Sequence, residues 1–116
     1  MKPPLEIRVA SDRRRLTLTF PDSAPCGLDA EYLRVFSPSA EVRGHGPDDK
    51  VLQTGKRHVM ITNIEPVGNY AIRITYSDGH DSGIYTWRYL KELCDSHETK
   101  WAEYLAELEV AGAGRE

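Results

Sequence analysis

Leu5, Ile7 and Val9 alternate with Glu6, Arg8 and Ala10, and Leu16, Leu18 and Phe20 alternate with Arg15, Thr17 and Thr19. A period of two places one set of side chains on a buried face and the other in water. The chain therefore opens with two antiparallel strands joined across Ser11 to Arg14. The threonines of the second favour strand over helix.

Residues 21–27 break this pattern with two prolines and a glycine. Asp29 can then cap a short helix that sets Ala30, Leu33 and Phe36 on one face, and Ser37-Pro38 ends it. The polar stretch 37–55 reads as a long exposed loop with a brief strand near Glu41-Val42-Arg43. Strands are expected over 58–66 and 70–76, the first needing a bulge because Ile61 and Ile64 are three apart. In the second, Tyr70, Ile72, Ile74 and Tyr76 point one way while Ala71, Arg73 and Thr75 point the other. Asp78-Gly79 supplies a tight turn, from which Ser82 to Tyr85 returns as a short strand.

Thr86 is placed to cap a helix carrying Trp87, Leu90, Lys91 and Cys94 on one flank. Asp95 and Glu98 have the spacing of a capping box that starts a second helix, with Trp101, Tyr104, Leu105 and Leu108 on its apolar face. The small-residue tail from Ala111 is expected to fray. The elements sum to an α+β fold: a small, mainly antiparallel sheet with a short inserted helix and C-terminal helices.

The chain has 116 residues, 40% hydrophobic and 28% charged. That suits one folded domain over 1–116 with its core at about 5–110. A formal charge of -3 gives no general attraction to nucleic acid or anionic lipid. The basic run Arg13-Arg14-Arg15 reads as a solvated turn in preference to an anion patch. No segment has the apolar length of a membrane span, and the N-terminus lacks the apolar core of a secretion signal. Cys26 and Cys94, distant in sequence, are expected as two reduced thiols in a cytoplasmic protein, although spacing alone also admits a disulfide.

Candidate chemistry is sparse. Cys94 and His97 make at most half a zinc site, so core packing and surface placement account for them more simply. His80, between a tight turn and an aromatic run, favours a structural hydrogen-bonding role over ligand or metal contact, with acid-base work third. Ser37, Ser39, Glu41, Arg43 and His45 bring hydroxyl, carboxylate, guanidinium and imidazole groups to one polar stretch, enough to recognise a polar partner or small anion. A Ser-His-acid set is present in composition but lacks a nucleophile elbow. Gly44-x-Gly46 is no dinucleotide fingerprint, and there is no P-loop.

The residues Tyr32-Leu33-Arg34, Ser37-Pro38-Ser39-Ala40-Glu41-Val42-Arg43-Gly44-His45 and Asp78-Gly79-His80-x-Ser82-Gly83-Ile84-Tyr85-x-Trp87-x-Tyr89-Leu90 resemble the bacterial DUF971 family. That family is named for its similarity to the N-terminal domain of gamma-butyrobetaine hydroxylase. The resemblance covers about residues 5–95. It implies a domain outside the iron and 2-oxoglutarate catalytic unit, with a zinc site in the hydroxylase-like relatives built from a C-x-C-x-x-C cluster and a distant histidine. Those positions fall here on Ser37, Ser39, Val42 and His80. Hydroxyls and a valine are poor zinc ligands, so the inherited site is expected to be empty, with zinc or iron at His80 admitted only if Glu41 or His45 substitutes. The loop is then expected to be held by hydrogen bonds from Ser37 and Ser39 to neighbouring backbone and to His80.

Similar domains fused to P-loop proteins of iron-sulfur cluster assembly imply a noncatalytic accessory module that binds a protein or small ligand. The alternative is a metal-binding accessory domain associated with an oxygenase. Partners are expected among iron-sulfur assembly or oxygenase proteins, with a homodimer through the C-terminal helix also open.

Overall fold

A computed structural model describes residues 1–44 and 50–116; His45, one of the candidate binding residues, lies outside the described residues. The opening alternation forms β1 (Glu6–Val9) and β2 (Arg15–Thr19), paired antiparallel with Ile7 opposite Leu18. Leu16 and Leu18 are fully buried, while β1 is a largely exposed edge. Arg13 adopts φ 62° in the turn between them, and Arg15 reaches Asp29 at 2.8 Å. A third strand, β3 (Cys26–Asp29), pairs with β2. The alternation does not announce it, because Leu28 is its only fully apolar inward residue.

Asp29 stands at the start of α1 (Ala30–Val35) in extended backbone, but its carboxylate is taken by Arg15 and makes no capping bond. The segment expected as a brief strand is instead a helical turn, α2 (Ala40–Arg43). The Ser39 hydroxyl accepts the Glu41 N–H at 3.1 Å, the capping bond that tips these residues into helix.

A second antiparallel sheet contains β4 (Ile61–Val67), β5 (Ala71–Tyr76) and β6 (Ile84–Thr86), in that order. The register shifts between Ile61 and Asn63, so Ile61 lies opposite Tyr76 and Ile64 opposite Ile74. That bulge reconciles the spacing of three with one inward face. Ile72, Ile74 and Tyr76 point inward, but Tyr70 precedes the strand and is exposed. Among the described residues the fold is thus α+β with two three-stranded sheets rather than one. Their inward leucines and isoleucines share a core with Leu33, Tyr85, Leu90 and Leu93.

Thr86 caps α3 (Trp87–Asp95), its hydroxyl accepting the Tyr89 N–H at 3.1 Å. Asp95 closes this helix and binds Lys91 at 2.8 Å, so it forms no capping box. Ser96 carries the junction to α4 (His97–Ala111), whose Tyr104 and Leu108 cluster with Val35. Leu105 remains exposed.

Two further expectations are overturned. The tail does not fray: the Gly55 and Arg57 amides donate to the carbonyls of Gly114 and Arg115 at 3.1 and 3.0 Å. Arg115 grips buried Glu31 with two bonds of 2.8 and 2.7 Å, its guanidinium 5.2 Å from the Trp101 ring. Nor are the cysteines free: Cys26 and Cys94 form a disulfide across a Cα separation of 6.3 Å, joining β3 to α3. Packing β3 against α3 brings together thiols that sequence spacing holds apart. Among the described residues, no helix is long and apolar enough to cross a membrane.

Candidate functional site

The site begins at the turn after β5. Gly79 takes φ 89°, a backbone open mainly to glycine, and the Tyr76 N–H donates to the His80 carbonyl at 2.9 Å to close the loop. Asp78 holds the turn from inside. One of its oxygens accepts the His80 amide at 3.1 Å; the other accepts Arg34 Nε at 2.9 Å and Lys56 Nζ at 2.7 Å. Burial pushes its carboxyl up, but the donors from Lys56, the His80 amide and Arg34 outweigh it and bring the pKa to about 2.

This turn delivers the His80 side chain, only 3% exposed, against the segment between α1 and α2. Its Nε2 lies 2.8 Å from Ser37 Oγ and its Nδ1 3.1 Å from Glu41 Oε2. Burial first, and the nearby Arg34 charge second, lower its pKa below the usual histidine value, against opposing pulls from Glu41 and Asp78. The imidazole is therefore neutral at pH 7 and has one proton to place. A carboxylate can only accept, so Nδ1–H donates to Glu41 and Nε2 accepts the Ser37 hydroxyl proton.

The remaining polar groups close around these. Ser39 Oγ shares a 2.7 Å hydrogen bond with Ser82 Oγ, and the Ser39 N–H approaches Ser37 Oγ at 3.4 Å. A side chain on Gly83 would overlap Ser37 Oγ, so glycine is what lets the two segments meet. Beneath them the Tyr76 and Tyr85 hydroxyls are 2.7 Å apart, and Tyr85 donates to the Leu33 carbonyl at 2.6 Å. Burial pushes both phenols up, and they stay protonated.

Ser37, Ser39, Glu41 and His80 therefore meet in one network. Arg43 turns away, its guanidinium 4.6 Å from the Tyr89 ring centre. Sequence reasoning passed over Arg34, Asp78, Ser82 and Gly83 as site residues, although all four stand in the family-like motifs.

The order Ser37–His80–Glu41 has the connectivity of a catalytic triad, yet its environment does not suit a nucleophile. Ser37 is 0% exposed, and its hydroxyl is enclosed by Gly83, His80 and the Ser39 amide. An attacking oxygen needs room for an electrophile and for oxyanion donors beside it. The zinc set implied by the resemblance fits no better. Two hydroxyls, the Val42 hydrocarbon and an imidazole with both nitrogens hydrogen-bonded lack the thiolates such a site requires. Among the described residues no group of three His, Cys, Asp or Glu side chains is arranged to hold a metal ion.

The family model described as gamma-butyrobetaine hydroxylase-like, N-terminal, matches residues 7–91. A solution NMR structure superposes over 100% of this chain and 91% of its own, with TM-score 0.86 and 47% identity. A second NMR structure covers 99% of this chain and 86% of its own, with TM-score 0.83 and 41% identity. A crystal structure from Acidithiobacillus ferrooxidans, of a DUF971 protein of unknown function, covers 78% of this chain and 90% of its own, with TM-score 0.65 and 39% identity. No curated protein matches the chain.

Proposed function

The chain belongs to the gamma-butyrobetaine hydroxylase-like N-terminal family, and we propose that it is a noncatalytic binding module whose working face combines α2 with the His80 turn. One observation carries this reading: both ring nitrogens of His80 are spent on Ser37 and Glu41. The imidazole acts as a clamp between two segments, leaving the exposed parts of Glu41 and Arg43 to meet a partner.

The family resemblance directs the search for that partner to proteins of iron-sulfur assembly or to an oxygenase. A cytoplasmic setting goes with such partners. The Cys26–Cys94 bond weighs against it, and thiol titration of freshly purified protein without reductant decides that point.

The test is copurification from host extract with and without chelator, beside native mass spectrometry of anaerobically purified protein. The binding-module reading expects a metal-free chain that retains a P-loop carrier or an oxygenase in chelator, and loses it when Glu41→Lys and Arg43→Glu are combined. One zinc or iron per chain, lost on His80→Ala, would replace it with the metal-binding accessory domain.

A further inference from the structure

The polar network does not use Arg43, but the cleft that Arg43 borders adjoins that network at Ser37 and adds a different chemistry to it. A cavity of about 210 Å³ opens between α1, α2, α3 and α4, with Val42, Phe36 and Tyr89 among its apolar walls. Among the described residues, Arg43, Lys50 and Lys100 line it against a single carboxylate, Glu103. This excess of positive charge stands out on a chain whose formal charge is -3.

The cations are held chiefly by aromatic faces. Arg43 lies 4.6 Å from the centre of the Tyr89 ring and Lys100 5.3 Å from that of Phe36. Tyr89 is fixed in turn by its hydroxyl, which donates to the Phe36 carbonyl at 2.6 Å. Lys50 is paired with Glu107 at 2.8 Å, while Lys100 reaches Glu92 only at 4.0 Å. Among the described residues Arg43 has no carboxylate within salt-bridge distance. The walls are preorganised, and much of the charge is left for an incoming anion.

Volume selects the kind of occupant. Pockets that enclose whole drug-sized ligands run from about 300 to 1,000 Å³. This cleft is smaller, room for a single side chain with some water. We propose that it receives one aspartate or glutamate side chain from an acidic segment of a protein partner, with the carboxylate between Arg43 and Lys100 and the stem on Val42 and Phe36. The proposal rests on the binding-module reading and names the chemistry of the partner.

The test is a titration of the full chain, labelled for NMR, with acetyl-Glu-Leu-Glu-amide and separately with acetyl-Gln-Leu-Gln-amide. The acidic peptide is expected to give saturable shifts at Arg43 Nε–H, Tyr89 and Lys100, with an affinity of about 1–10 mM as befits so small a ligand. The glutamine peptide leaves those signals in place. Arg43→Gln with Lys100→Gln weakens binding by about tenfold or more, and raising the salt weakens it for the parent. Because those changes keep the stems, a melting temperature near the parent's shows that the fold survives.

No shift at the top of the titration, equal shifts with both peptides, or shifts spread over unrelated surface lysines would each overturn the proposal. The two readings fail separately. A partner retained in extract by a cleft that ignores the acidic peptide sinks only the cleft, whereas peptide binding without any retained partner sinks the partner reading.

Discussion

Glu31 and Arg34 lie one turn apart on α1, both buried and of opposite charge, and each is answered from a different part of the chain. Arg34 meets Asp78, which is itself tied to Lys56 and to the His80 amide, so removing any one partner disturbs several others. Among the described residues Glu31 meets Arg115 alone, through a bidentate pair on a tail attached by two backbone bonds and by the Glu116 side chain to Arg57 and His58. The first arrangement is a network that fixes the candidate site. The second is a single clasp whose opening would let water in. Burial alone therefore does not say what a charge is worth; the number of independent groups holding it does.

The sharpest way to break this contrast is Asp78→Ala. Among the described residues it removes the one carboxylate paired with Arg34, whose Nη1 has no hydrogen-bond partner there. Unpairing a buried charge costs about 3–5 kcal/mol, and the expectation here is about 3 because Asp78 keeps some contact with water. Urea denaturation measures it; a loss under about 1 kcal/mol would mean that Arg34 finds solvent easily. Arg115→Ala comes next, at about 2 kcal/mol, the worth of charged hydrogen bonds at a site that water can refill. Faster hydrogen exchange at the Arg57 amide should accompany it while the His80 turn stays protected.

Acid probes the network without mutation. Asp78 has its pKa lowered from 3.8 to about 2. Its contribution is complete above pH 3.8 and is lost as the pH falls toward 2, a total of about 2 kcal/mol. The smallest effect belongs to His80, whose folded pKa is also lowered. The unfolded chain takes up the proton first, so stability is full above about pH 6.5 and declines as the pH falls through and below that value. Melting curves from pH 7.5 to 5 should show this decline in the parent and a flatter profile in His80→Gln. Parallel profiles would remove His80 from the account.

The elements legible in the sequence are those whose signal is local. Strict alternation gives β2 and β5, the three-residue gap from Ile61 to Ile64 gives the bulge, and Thr86 gives the α3 cap. What escaped depends on contacts made elsewhere. β3 exists because Leu28 can pair opposite Leu16; α2 is the exception, a local Ser39 cap on the Glu41 amide inside a stretch read as loop. The tail is ordered because Arg115 has Glu31 eighty-four positions away. The site is divided in the same way. The motifs place Ser37, Ser39 and His80 close in purpose, but the deep burial of Ser37, the feature that sets the triad-like order apart from catalysis, emerges only once Gly83 is folded against it.

The bond between Cys26 and Cys94 turns the intervening chain, sequence separation 68, into a covalent ring that contains α1, α2 and the whole second sheet. A single cut of the backbone anywhere inside that ring opens it without parting the pieces. The nicked protein keeps its parent mass, apart from the water added, until a reductant releases two fragments. A partner or protease acting on the polar stretch after α2 would therefore leave the site's halves tethered and able to come back together.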